Sequence, residues 1–227
     1  MRHWLCAFML GLLSPVAAHA TLPIALFKTA EIRTESHDGL KQWQRVLDRI
    51  RKEQPIYAAC STDLAACPNR ATKEWLGFLH QLEGRPLEDQ VVRVNRFVNR
   101  WQYRSDPTVY GKSDYWASPL QFVANSGDCE DYAITKYISL RLLGIPDERL
   151  RVAVVHDRVR DLAHAVLVVY QDDTAVVLDN LTNAVLPHDV VANYTPYYTI
   201  NATTRWAHVP SSRIDMAAVG GSGADGQ

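Results

Sequence analysis

The 227-residue chain balances 24 Lys and Arg against 25 Asp and Glu, a formal charge of −1. With no basic excess, nothing points to nucleic acid or an anionic membrane as partner. The length suits one domain with its own core, and after residue 20 no apolar run is long enough to cross a bilayer.

Residues 1–20 predict a secretory signal peptide. Arg2 and His3 precede the apolar run WLCAFMLGLL, then Pro15, and Ala18-His19-Ala20 forms an A-x-A cleavage site. The mature chain is expected to be one domain over 21–216, with a disordered tail over 217–227. Export implies an oxidising compartment. Cys60 and Cys67, which bracket CSTDLAAC, are expected to pair; two free thiols are the alternative. Cys6 leaves with the signal peptide, so Cys129 is the odd thiol, a flag for reactivity in an exported protein.

In chain order, Leu40, Trp43, Leu47 and Ile50 predict a helix stopped by Pro55. Trp75, Phe78, Leu79 and Leu82 predict a second, ended by Gly84. Pro86 opens a third, with Leu87, Val91, Val94, Val98 and Trp101 on one side. Residues 102–124 read as a long loop, of the kind that is functional or hides short helices. After the Asn125-Ser126-Gly127 turn, a helix starts near Cys129, with Ala133, Tyr137 and Leu140 on one face and Gly144 and Pro146 at its end. The pattern then becomes β-branched: strands over 151–156, 164–170 and 174–180, the last two a hairpin around Gln171-Asp172-Asp173, and one further strand within 198–208. Helices first and strands later predict an α+β fold: N-terminal helices packed with a C-terminal antiparallel sheet.

The segment SGDCEDYA, residues 126–133, places one sulfur among three carboxylates. Cys129 falls at a helix N-terminus, where partial positive charge stabilises a thiolate. A small buried hydrophobe is the alternative. A nucleophilic thiol needs a base and a group to orient that base. If the hairpin closes near residue 172, His164 and Asp179 lie nearly opposite each other at its open end, close enough for the acid to orient the ring. His156 has no acid across a short hairpin, and His80, His188 and His208 sit in surface or loop contexts. Asp128, Glu130 and Asp131 oppose thiolate formation unless a cation offsets them. A hard divalent ion with oxygen ligands fits such a set, calcium better than zinc. Equally, Asp128 can be a plain N-cap and the others a first-turn complement to the helix dipole.

DYWASPLQF (114–122), SGDCEDYAITKYISLRLLGIP (126–146), LAHAVLVVY (162–170) and VVLDNLTNAVLP (176–187) resemble the bacterial transglutaminase-like cysteine proteinases of the LapG type. Gln121 stands where related sequences suggest Glu. The resemblance implies a papain-like thiol site on a transglutaminase-like core, with Cys129 as nucleophile, His164 as base and Asp179 as orienter. It implies calcium at Asp128, Glu130 and Asp131. It further implies periplasmic cleavage of the N-terminal region of a large surface adhesin, which releases biofilm cells, and inhibition by an inner-membrane receptor that senses cyclic di-GMP. The backbone N–H of Cys129 is the natural first oxyanion donor, and Trp101 and Trp116 are candidates for the second. Two rival readings keep the same residues: acyl transfer by a transglutaminase or amidase, and a calcium-responsive binding module without turnover.

Overall fold

The computed structural model describes residues 25–210; the expected signal peptide over 1–20 and tail over 217–227 lie outside the described residues. Six helices come largely before a seven-stranded sheet: α1 (Lys41–Thr62), α2 (Arg70–His80), α3 (Leu87–Val98), α4 (Asp106–Tyr110), α5 (Pro119–Asn125) and α6 (Cys129–Leu142). The strands are β1 (Thr29–Thr34), β2 (Leu150–Asp157), β3 (Leu162–Gln171), β4 (Thr174–Leu178), β5 (Val185–Pro187), β6 (Tyr194–Ile200) and β7 (Arg205–Pro210). Their order is β1-β7-β6-β2-β3-β4-β5, with every neighbouring pair antiparallel. No helix among the described residues is long and apolar enough to cross a membrane.

The sheet's alternation separates two cores. Leu167, Val169, Leu178 and Val152 face the helices, meeting Trp43, Trp75, Phe122 and Tyr137. Val155, Val166, Val168 and Val177 face the other way and are covered by Leu26, Phe27 and Tyr194. Between the other helices and the sheet runs α6, in which every residue from Asp131 to Leu140 is buried. The single apolar face read from Ala133, Tyr137 and Leu140 is therefore too narrow: α6 is enclosed on all sides, as a helix without an amphipathic stripe must be. Ser139 is accommodated locally, its Oγ accepting from Trp75 Nε1 at 2.9 Å and donating to the Thr135 carbonyl at 2.7 Å, whereas Thr135 Oγ1 and Lys136 Nζ are buried with no hydrogen-bond partner.

Three expectations need correction, while the reading of residues 102–124 as hiding short helices is borne out. The helix α1 runs through Pro55 instead of stopping there. Pro55 is exposed, so water can satisfy the carbonyl that loses its donor, while Glu53 and Tyr57 on either side are buried and joined by a 3.0 Å hydrogen bond. The loop over 102–124 contains α4 and α5, each started by a Ser-Asp-Pro or Ser-Pro sequence that suits a helix N-terminus. The single strand expected within 198–208 is the β6–β7 hairpin, broken by a turn in which Asn201 Oδ1 accepts from the Thr203 and Thr204 N–H groups. Finally, His188 and His208 are not surface residues. His188 Nδ1 accepts from the Phe27 N–H at 3.1 Å, and the His208 ring lies between the Thr29 and Thr199 hydroxyls. Cys60 and Cys67 form a disulfide with Cα atoms 4.7 Å apart, closing the end of α1 onto the following turn.

Candidate active site

The turn before α6 is built around one tight approach. Ser126 ends α5 with φ +66°, a backbone conformation that favours glycine. At Gly127 a Cβ would sit 2.0 Å from Asp131 Oδ2, so only glycine fits. The Gly127 carbonyl accepts from the Arg104 N–H at 2.8 Å, and the segment pairs with Tyr103. The Asp131 side chain reaches back to the Asp128 N–H at 3.3 Å and takes the Ala117 N–H at 2.6 Å, binding the turn to the segment before α5. Cys129 is the first residue of α6, partly exposed, at the positive end of the helix.

On the sheet, the β3–β4 register sets Leu167 opposite Leu178. Continued outward, it places residue 181 opposite His164, so His164 and Asp179 are a diagonal pair on one face, not a directly opposed one. The pairing stops at Leu178, and Asp179, just beyond it, turns to His164: Nε2 to Oδ1 is 2.9 Å. Asp179 Oδ1 also accepts the Leu181 N–H at 3.0 Å, and Oδ2 accepts the Tyr194 hydroxyl. Burial works against the Asp179 carboxylate, but its bonds from His164, Leu181 and Tyr194 hold the carboxyl below its usual range. An ionised carboxylate only accepts, so Nε2 carries the proton and Nδ1 keeps its lone pair. Both side chains are buried.

Cys129 packs in the helix-side core beside Ala165, whose backbone N–H bonds to the sulfur. The Cys129 thiol itself donates to Glu130 Oε2 at 3.3 Å. Among the described residues no hydrogen bond joins Cys129 to His164. Burial, then the adjacent Glu130 and Asp128 charges, push the thiol well above its ordinary value. The sulfur thus starts protonated and held by the wrong partner for chemistry.

The acids are more numerous than the sequence suggested. Carboxylate oxygens of Asp106, Asp128 and Asp131 lie within 4.8 Å of one another, as do those of Asp106, Asp114 and Glu130. Asp128 is the N-cap of α6 and forms a capping box with Asp131, as the plainer reading expected, but its Oδ2 also accepts the Asp106 N–H at 3.2 Å, which ties the helix start to α4. Asp128 Oδ1 and Asp106 Oδ1 are buried with no hydrogen-bond partner. Orphaned carboxylate oxygens are costly, and this all-oxygen set fits a hard divalent cation. Asp106 and Asp114 were missed because they stand in the aromatic loop, far from the cysteine in sequence; the length of that loop was the one available signal. Trp101 is not a free oxyanion donor, because its indole N–H is spent on the Val123 carbonyl at 3.0 Å. Trp116 is buried edge-on to Trp43.

Burial first, and neighbouring Asp128 next, raise Glu130 to about 9; burial raises Asp106 to about 6, with Asp128 and Asp114 adding to it. A carboxyl raised in the folded state binds its proton more tightly there than when unfolded. Its contribution to stability is present at low pH and is lost as pH rises through the folded value. Metal-free protein is therefore expected to melt at lower temperature as pH rises from about 5 to about 9, and Asp106→Asn to flatten the lower part of that slope. Thermal melts in chelator across that range check it.

A family model for bacterial transglutaminase-like cysteine proteinases matches residues 52–213. Calcium-bound LapG of Legionella pneumophila is 32% identical, with a TM-score of 0.56 over 60% of this chain and 77% of that one. A second LapG structure from the same organism is 27% identical, with a TM-score of 0.58 over 73% of this chain and 94% of that one. An EGTA-treated form gives 27% identity and a TM-score of 0.58, covering 71% of this chain and 91% of that one. No curated protein matches. With most of its length matched, this chain belongs to the bacterial transglutaminase-like cysteine proteinases.

Proposed function

We propose that this protein is a calcium-dependent periplasmic cysteine endopeptidase. It cleaves the N-terminal region of a large surface adhesin and so controls biofilm release, and an inner-membrane cyclic di-GMP receptor holds it inactive. The observation that carries the reading is the buried His164–Asp179 pair on a strand whose next residue, Ala165, bonds to the Cys129 sulfur. Kinship to calcium-bound LapG supports the cation.

In this reading, His164 takes the Cys129 proton at Nδ1, and the sulfur attacks a peptide carbonyl. The Cys129 N–H at the helix start faces the developing oxyanion. His164 then gives its proton to the leaving amine, and water, deprotonated by the same ring, releases the acyl group as a free carboxylate. Asp179 keeps the ring in the required tautomer throughout. Asp106, Asp114, Asp128, Glu130 and Asp131 are the residues that would hold calcium. Calcium, when bound, supplies the positive charge that offsets these acids beside the thiolate.

The test is incubation of the full-length mature protein with the N-terminal fragment of a candidate adhesin, with calcium or with EGTA. New peptide ends are expected with calcium and none with EGTA. Cleavage of equal rate in both would sink the calcium dependence. Amine cross-links in place of new ends would point to acyl transfer instead.

A further inference from the structure

We propose that Tyr194 is a positioning residue, which acts from β6 to fix the Asp179 carboxylate against His164. The proposal rests on the reading of Cys129, His164 and Asp179 as a catalytic set.

Asp179 stands one residue beyond the last residue of β4, where the ladder no longer holds the backbone. The final torsion of an aspartate side chain is broad and two-fold, so its two oxygens exchange readily unless both are held. Oδ1 is held by His164 Nε2 at 2.9 Å and by the Leu181 N–H at 3.0 Å. Among the described residues, Oδ2 has one hydrogen-bond donor, the Tyr194 hydroxyl. That bond therefore settles which oxygen faces the imidazole and at what angle.

Tyr194 is itself firmly placed. It opens β6 opposite Asp157 of β2, and its ring is buried in the second core with Leu26, Phe27 and Val177. The same ring lies 5.6 Å from the His164 ring, tilted by 53°. One side chain thus touches both members of the pair. The charges that bear on it are Asp179, Asp157 and Arg160; Arg160 is bonded to Asp157 at 2.7 Å. Burial, then the Asp179 carboxylate, push the phenol far above its ordinary value, so it remains a donor wherever the enzyme works.

Two consequences separate positioning from plain support. Without the hydroxyl, Oδ2 is an unsatisfied buried acceptor and the carboxylate can turn, so the ring loses its fixed aim. Without the hydroxyl, too, the negative charge on Asp179 is no longer shared with a donor and favours the protonated imidazole more strongly.

The experiment is Tyr194→Phe in the full-length mature protein with calcium, assayed on a cleavable peptide and by the pH dependence of Cys129 alkylation. The ring stays in the core. The expected result is a fall in kcat of about tenfold, or about 1.4 kcal/mol, with KM unchanged. The limb of the alkylation profile that His164→Ala removes is expected to move to higher pH. An unmoved limb, or a kcat loss that merely follows a lower melting temperature, overturns the proposal. If His164→Ala leaves the limb in place, the catalytic set falls, and this proposal with it. Should Tyr194→Phe melt too low to assay, a ring-fluorinated tyrosine at this position is a stronger donor and must move the limb downward; no movement overturns the proposal.

Discussion

His164→Ala is expected to reduce peptide hydrolysis by on the order of 10⁴-fold or more, to a level matched by Cys129→Ala. The size follows from the starting state of the sulfur. Burial, then the Glu130 and Asp128 charges, push the Cys129 thiol above its ordinary value, and its hydrogen bond goes to Glu130. The Ala165 N–H and the helix start favour the thiolate, but neither can accept a proton. In the proposed mechanism the base is His164, on the adjoining strand with Asp179 bonded to its ring. The double variant is expected to be no worse than either single one, because residues that act as a unit lose their effect together. Cys129→Ala should melt close to the parent, whereas His164→Ala strips the buried Asp179 carboxylate of a donor and should melt lower, so its rate is read well below its own melting temperature. Initial rates on a single peptide, with active-site titration by a thiol-directed inhibitor, provide the measurement. A His164→Ala enzyme that retains a tenth of the parent rate would remove the histidine from the mechanism.

Gly127→Ala is expected to damage stability and cation binding at once. The added methyl would meet Asp131 Oδ2 at 2.0 Å and Asp131 Cβ and Cγ at 2.8 Å, distances that no small adjustment relieves. Asp131 must leave, and its bonds from the Ala117 and Asp128 N–H groups go with it. A displaced buried carboxylate and two stranded donors cost about 3 kcal/mol, with context deciding the exact figure. Calcium affinity should fall on the order of 10- to 100-fold, since Asp131 also braces the neighbouring acids. Calorimetric titration and thermal melts of the metal-free and calcium-loaded forms check both parts. The pairing with Asp131 can be tested separately: Asp131→Asn can accept from only one of the Ala117 and Asp128 N–H groups, so it should lose calcium affinity together with one of the two bonds that hold the turn.

Much of this site is legible in the sequence because its chemistry is local. Cys129 at a helix start, three nearby acids, and two strands joined by a tight turn all lie within short windows. The hairpin even tolerates an error in register: His164 and Asp179 meet as a diagonal pair although direct opposition was expected. The parts that stayed hidden depend on distant segments. Asp106 and Asp114 reach the acid cluster only because α4 and the following turn fold back over the start of α6. Tyr194 reaches Asp179 only because β6 lies beside β2 in the sheet. Pro55 misled because a local rule about proline was applied to a helix whose buried face, from Trp43 to Cys60, outweighs one missing hydrogen bond.

The sheet begins with the first strand and ends beside it with the last: Thr29 faces Pro210 across the β1–β7 pairing. The described chain therefore starts and finishes at one edge. A linker joining residues 25 and 210, which keeps Leu26 and Phe27 over the second core, with new ends opened at Asp172-Asp173, would give a circularly permuted protease in which α6 and the strands keep their order in space. A tag joined directly before residue 25 or after residue 210 would leave the described fold near the β1–β7 edge.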